Sequence, residues 1–251
     1  MELSNDHRGS ASIAHLVIVA GASGSGKSTF VHQLRARDLP PEINALLPGD
    51  VADWPVVGTT MKPDFPRPAR GVLFQYDMNG RGVAAGREFS EDPALSDVGF
   101  AKTVTVINLR PSPDLMIDQL VAREGNGRTK EEILRETFAW RSLRKWYIAR
   151  RILARWKPWI ALNRRYSCRR KINLYNQDGW LDSFYKRWQA YLQSLTAKGV
   201  AVEQIFLEPD LGTQVGNSYA WRIVPDAEKA APSQTTNREA HSILNEGRWA
   251  S

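Results

Sequence analysis

A single cysteine, Cys168, in 251 residues excludes a disulfide framework and suits a reducing compartment. No histidine lies near it in sequence to make it a nucleophile, so it reads as a plain thiol on, or half under, a helix surface. The four histidines, His7, His15, His32 and His241, show no ligand spacing, and a structural zinc site is not expected. Long apolar runs are also missing. The run nearest the N-terminus, Leu16 to Ala20, is far short of the ~20 residues that cross a bilayer. It leads straight into a glycine-rich stretch and reads as a strand, not a signal peptide. A cytoplasmic protein is expected.

Evenly spread charge is lacking too. Between Arg135 and Lys171 there are thirteen Lys/Arg against one acid, Glu136, a local excess of +12 in a chain whose total is +7. The basicity is therefore a block, and the rest of the chain is net acidic. With 42% hydrophobic residues the chain has material for a sizeable core, as one α/β domain with insertions or a core plus an appendage.

The most informative residues are Gly21-Ala22-Ser23-Gly24-Ser25-Gly26-Lys27-Ser28, followed by Thr29. They have the G-x-x-x-x-G-K-[ST] spacing of a P-loop, with a β-branched strand before them and a helical stretch, Thr29 to Arg37, after. Glycines let the backbone curl so that successive N–H groups face phosphate oxygens, and the helix N-terminus adds positive charge. Lys27 then reaches the β- and γ-phosphates, Ser28 offers its hydroxyl to Mg²⁺, and Thr29 adds a hydroxyl near the α-phosphate. ATP and Mg²⁺ are the implied cofactors; ATP is taken by default, because no base-reading N/TKxD signature is present.

Farther along, Pro40-Pro41 breaks the chain and Glu42 to Leu47 suggests a short helix. The prolines of residues 48–71 predict a long loop. Val72 to Asp77 and Thr103 to Leu109 read as strands, and Asp92 to Phe100 as a helix. Ser112-Pro113 caps a helix over Asp114 to Arg123, and Thr129 with Glu132 forms a capping box. Gly179 to Leu195 reads as an aromatic-rich amphipathic helix, Val200 to Leu207 as a strand, and Tyr219 to Val224 as an edge strand. The alternation predicts an α/β fold, a P-loop three-layer α/β/α sandwich with a mostly parallel sheet plus a helical basic insert. The expected divisions are 14–134 for the core, 135–198 for the basic insert or lid, 199–224 for the return to the sheet, and 225–251 for a disordered tail.

Several of these segments together resemble the P-loop nucleotide kinases, and in order of occurrence guanylate kinase. The phosphate loop, Thr59-Thr60-Met61-Lys62-Pro63 with Arg67 and Arg70, the strand Val72 to Asp77, and Thr103 to Arg123 carry the likeness, over roughly residues 15–140. The chain departs from that pattern in having almost nothing between Arg70 and Val72, where the family keeps its monophosphate-binding subdomain. Met61 also stands in place of an arginine. The resemblance implies a phosphotransferase whose acceptor is a small molecule or glycan other than GMP.

On that reading Lys27, Asp77, Arg123 and Arg128 are the catalytic candidates. Asp77 would orient a Mg²⁺-bound water or take the acceptor's proton, and Ser28 with Asp77 would serve the metal. Arg123 and Arg128 sit where a lid belongs. Arg67, Arg70 and, after its strand, Arg110 are candidate acceptor clamps, because guanidinium pairs bidentately with phosphate or carboxylate. The plainer alternatives are a turn-capping aspartate and solvated surface arginines. In the basic block Arg141, Arg144, Lys145, Arg151 and Arg155 share a stripe about 120° wide at helical spacing. That stripe fits a solvated helical subdomain, a surface for an anionic polymer with tryptophans that stack, or peripheral attachment to an anionic membrane. Two other functions stay open: a nucleotide-switched binding protein that engages nucleic acid or membrane with little turnover, and a sulfotransferase-like enzyme. The lone acid at the strand end, without a second beside it, argues against a hydrolytic motor.

Overall fold

From Leu16 to Ala20 every side chain of the first strand is buried, so this strand has no solvent face. A strand that is apolar on both sides belongs in the middle of a parallel sheet covered above and below. The computed structural model describes residues 13–58, 63–79, 83, 86–125, 127–135, 167–215 and 218–224, and it places β1 (Ile13–Gly21) at such a position. The other strands are β2 (Val56–Gly58), β3 (Ala69–Asp77), β4 (Ala101–Leu109), β5 (Ala201–Val215) and β6 (Ser218–Ile223). They form one six-stranded sheet in the order β2-β3-β1-β4-β5-β6. All neighbours run parallel except β5 and β6, which are antiparallel. The fold is α/β with a mostly parallel sheet.

Strand side chains alternate between two separate cores, because successive residues point to opposite faces. Val17, Val19, Leu73, Ile107 and Ile205 join α1 (Lys27–Ala36) and α2 (Pro41–Asn44) through Phe30, Leu34 and Ile43. Leu16, Ile18, Phe74, Tyr76, Val104 and Val106 join the opposite layer. That layer holds α3 (Pro113–Glu124), α4 (Lys130–Arg135), the helical segment 167–175 and α5 (Trp180–Ala197). Helices thus cover both faces.

Trp188 anchors the second core. It is fully buried, its indole N–H donates to Asn108 Oδ1 at 2.7 Å, and its ring stacks on Tyr76 and Tyr191 at 5.5 and 5.4 Å between centroids. Helix α5 is therefore bound into the sheet's own core. The capping box forms as the sequence suggests, with Thr129 N–H donating to Glu132 Oε2 at 2.8 Å and Glu132 N–H to Thr129 Oγ1 at 3.3 Å.

Three expectations are corrected. The proline-rich stretch 48–71 is not loop throughout: Val56 and Val57 pair with Leu73 and Phe74 as a short edge strand, a place that tolerates the preceding proline. Residues 92–100 form no α-helix. They make two 3₁₀ turns, Pro93–Leu95 and Val98–Phe100, after a third at Phe89–Glu91. The buried Asp92 carboxylate accepts from both Ala94 N–H and Tyr76 OH, which fixes a turn where a helix would run on. Cys168 is fully buried, not at or near the surface, and burial raises its thiol pKa to about 11. The basic stripe from Arg141 to Arg155, Thr59 to Lys62, and the tail from 225 onward lie outside the described residues. Among the described residues no helix is long and apolar enough to cross a membrane.

Two outcomes follow from this packing. Trp188→Ala should lower unfolding stability by roughly 3–5 kcal/mol, read as a reduced urea midpoint with an unchanged slope. A thiol reagent at pH 8 should leave native Cys168 untouched and titrate one thiol per chain once denaturant is added.

Candidate functional site

Adjacent strands whose following helices lie on opposite faces open a crevice at their carboxyl ends, where α/β proteins bind ligands. Strands β1 and β4 are such a pair, since α1 packs on one face and α3 on the other. The loop 22–26 passes over this crevice. Two glycines shape it. Gly24 has φ +86°, and a Cβ there would lie 2.7 Å from the Met116 carbonyl oxygen. Gly26 has φ +85°, and a Cβ there would lie 2.9 Å from the ring of Trp221. Both positions need the left-handed region and the missing side chain. Trp221 is held in turn by its indole N–H donating to Gln33 Oε1 at 2.7 Å, and its ring meets Phe30 edge-on.

Helix α1 begins at Lys27, with Phe30 N–H bonded to Gly26 O at 2.9 Å. Helix geometry leaves the amides of Lys27, Ser28 and Thr29 without intrahelical acceptors. Lys27, 8% exposed, turns its ammonium back into the loop and donates to Gly21 O and Ala22 O, both at 2.8 Å. Burial, with further push from Arg123 and Lys171, lowers its pKa despite the opposing pull of Asp77. Ser25 Oγ is buried with no hydrogen-bond partner among the described residues. Ala22 and Ser23 are buried as well.

The register pairs Gly21 with Asp77, so the acid at the end of β3 meets the loop. The Asp77 carboxylate lies 3.6 Å from Lys27 Nζ and accepts from the Ser23 hydroxyl at 3.0 and 3.2 Å. It also accepts from Asn79 N–H at 3.3 Å. Packing alone would raise its pKa, but Lys27, Ser23 and Asn79 outweigh that and hold the carboxyl below its ordinary range. It is ionised at neutral pH, with its side chain 41% exposed.

Of the other sequence candidates, Arg110 comes to the same edge of the sheet. Its N–H donates to Leu207 O at 2.8 Å, and its guanidinium lies over the rings of Phe206 and Tyr185 at 4.6 and 5.0 Å. Burial lowers its pKa. Arg123, at the end of α3, pairs with Glu124 at 2.6 Å and is near enough for its charge to act on Lys27. Arg128 lies in the turn before α4, its N–H on Gly125 O. Arg67 and Arg70 are corrected: they precede or open β3 at the amino edge of the sheet, with about 25 Å of strand between them and the loop. There Arg67 pairs with Asp97 at 2.8 Å and lies over Phe100, while Arg70 pairs with Asp50 at 3.4 Å. They cannot clamp a group bound at the opposite edge.

The structure adds four residues that the sequence reading passed over. Gln75 donates from Nε2 to Ser28 Oγ at 2.9 Å; its place two residues before Asp77, on the same strand face, was the available signal. Tyr175 donates to Ser23 O at 2.8 Å and accepts from Asn79 Nδ2 at 2.9 Å. Burial and then Asp77 raise its phenol pKa. Lys171, one turn earlier, pairs with Glu124 at 3.0 Å. Trp221 is the fourth. Tyr175, Lys171 and Trp221 carry no local motif.

The assembly favours an anion: helix-end amides, a buried lysine, further cations, and a loop whose backbone tolerates no side chain at two points. No group of three or more His, Cys, Asp or Glu able to hold a metal alone occurs among the described residues. A metal here would share its ligands with a bound phosphate, as Mg²⁺ commonly does.

The linkage at Asp77 has a definite sign. A carboxyl whose folded pKa is depressed adds stability above its unfolded pKa, about 3.9, and loses it as pH falls through the folded value. Wild type should therefore exceed Asp77→Asn in stability by a constant margin at neutral pH. The margin should close as pH drops below about 4, measured by urea unfolding across pH.

No protein-family model matches the sequence, and no curated protein matches it.

Proposed function

We propose that the chain is an ATP-dependent phosphotransferase of the P-loop kinase type that moves the γ-phosphate to a small-molecule or glycan acceptor. One observation carries this reading. The loop 22–26, the start of α1 and the strand-end Asp77 converge at the carboxyl edge of a parallel sheet, over the crevice between β1 and β4.

Phosphoryl transfer asks a protein mainly for positioning and charge neutralisation. The loop amides and Lys27 would hold the donor phosphates, with Lys27 exchanging its two carbonyl acceptors for phosphate oxygens. Ser25, buried without a partner, adds a donor to that cradle. The hydroxyl of Ser28 offers a hard oxygen donor of the kind Mg²⁺ takes. An ion held there by Ser28 would supply neutralisation of the phosphates' charge. Arg123 and Lys171 would lie beside the transferred group, and Glu124 orients both.

The test follows the label from γ-labelled ATP with Mg²⁺ and a metabolite extract. Transfer to an extract component is the expected result. Label released only as inorganic phosphate, or retained on tightly bound ATP, would sink the kinase assignment and favour a nucleotide-switched binding protein. Lys27→Ala should abolish both transfer and the ATP-induced rise in melting temperature without loss of the fold.

A further inference from the structure

Strand β3 ends with two polar side chains on one face, Gln75 and Asp77, and each already has a different partner. Gln75 donates its carboxamide to the Ser28 hydroxyl at 2.9 Å. Asp77 takes the Ser23 hydroxyl, Asn79 N–H and the nearby Lys27 ammonium. Tyr175 ties the same Ser23 and Asn79 together from the helical segment 167–175, so the carboxylate is braced from three elements. The braced group is 41% exposed, so a molecule at this edge of the sheet can reach it.

We infer a division of labour that rests on the phosphotransferase reading: Gln75 positions the Ser28 hydroxyl for the metal, and Asp77 accepts the proton of a hydroxyl-bearing acceptor. The chemistry of each partner supports the split. A carboxamide donating to Ser28 Oγ takes up one of that oxygen's two lone pairs, leaves the other for a cation and contributes no charge, so Gln75 orients the hydroxyl without competing for the cation. An ionised carboxylate accepts hydrogen bonds and repels anions. It therefore suits an alcohol at the attacking position and disfavours a phosphate or carboxylate acceptor.

The step balances. The acceptor hydroxyl oxygen forms a bond to the γ-phosphorus, the bond between that phosphorus and the β–γ bridging oxygen breaks, and ADP departs with the electron pair. The hydroxyl proton passes to Asp77 Oδ and then to solvent. The product is a phosphate monoester.

Two readouts test this. The first is the Mg²⁺ concentration that gives half of the ATP-induced rise in melting temperature. Gln75→Ala should raise it about tenfold, the usual cost of losing a group that orients a metal ligand. Asp77→Asn should leave it unchanged while transfer is lost. If Asp77→Asn raises the Mg²⁺ requirement and Gln75→Ala does not, the division is overturned and Asp77 serves the metal. The second readout is the labelled product's survival in brief hot acid. A stable monoester is expected; an acid-labile anhydride or acyl phosphate overturns the hydroxyl assignment. Failure of wild type to gain any stability from ATP with Mg²⁺ would remove the underlying kinase reading, and is distinct from either result.

Discussion

The parallel register between β1 and β3 is the constraint on which the site depends. Pairing Leu16 with Val72 through to Gly21 with Asp77 sends the last residue of each strand to one edge at one height. A slip of one residue would turn Asp77 and Gln75 to the opposite face and bury the one while exposing Phe74 and Tyr76. Two separate cores forbid that slip, because each holds alternate residues of the same strands. The chemistry at the edge is thus set by apolar packing several residues back.

Charge at that edge is settled by competition. Lys27 is buried and Asp77 is close, yet each keeps a different set of neutral partners: two carbonyls for the lysine, a hydroxyl and an amide for the acid. Separation of 3.6 Å gives attraction at more than the usual length of an ammonium–carboxylate hydrogen bond. Had the two collapsed onto each other, the lysine would have to break a strong contact before it could turn to another anion. Extra cations from α3 and the segment 167–175 work against the lysine's own charge, so an incoming anion relieves repulsion as well as adding attraction.

Much of this was legible in the residues. The β-branched runs gave β1 and β4 nearly to their ends, the Ser112-Pro113 and Thr129–Glu132 caps marked two helix starts, and the glycine spacing marked the loop. The misreadings have physical causes. Val56 and Val57 are too few to stand out among prolines, and they become a strand only because the β3 edge offers them partners. Asp92 looks like a helix cap, but its second oxygen is taken by a tyrosine from β3. Arg67 and Arg70 follow a family-like order along the chain, yet order does not tell which end of a strand a residue occupies. Tyr175 and Trp221 reach the loop only through tertiary packing, which no local pattern encodes.

Trp221 has a consequence for how the molecule comes into being. Its indole bonds to Gln33 across 188 residues of chain, and its ring lies behind Gly26. The loop follows β1, while its back wall belongs to β6, far later in the chain. During synthesis the first half can emerge and gather β1, β3 and β4, but the loop lacks this wall until β6 has left the ribosome and paired with β5. Contacts of such separation form late in folding. The loop's back wall is therefore in place only after β6 has joined the sheet.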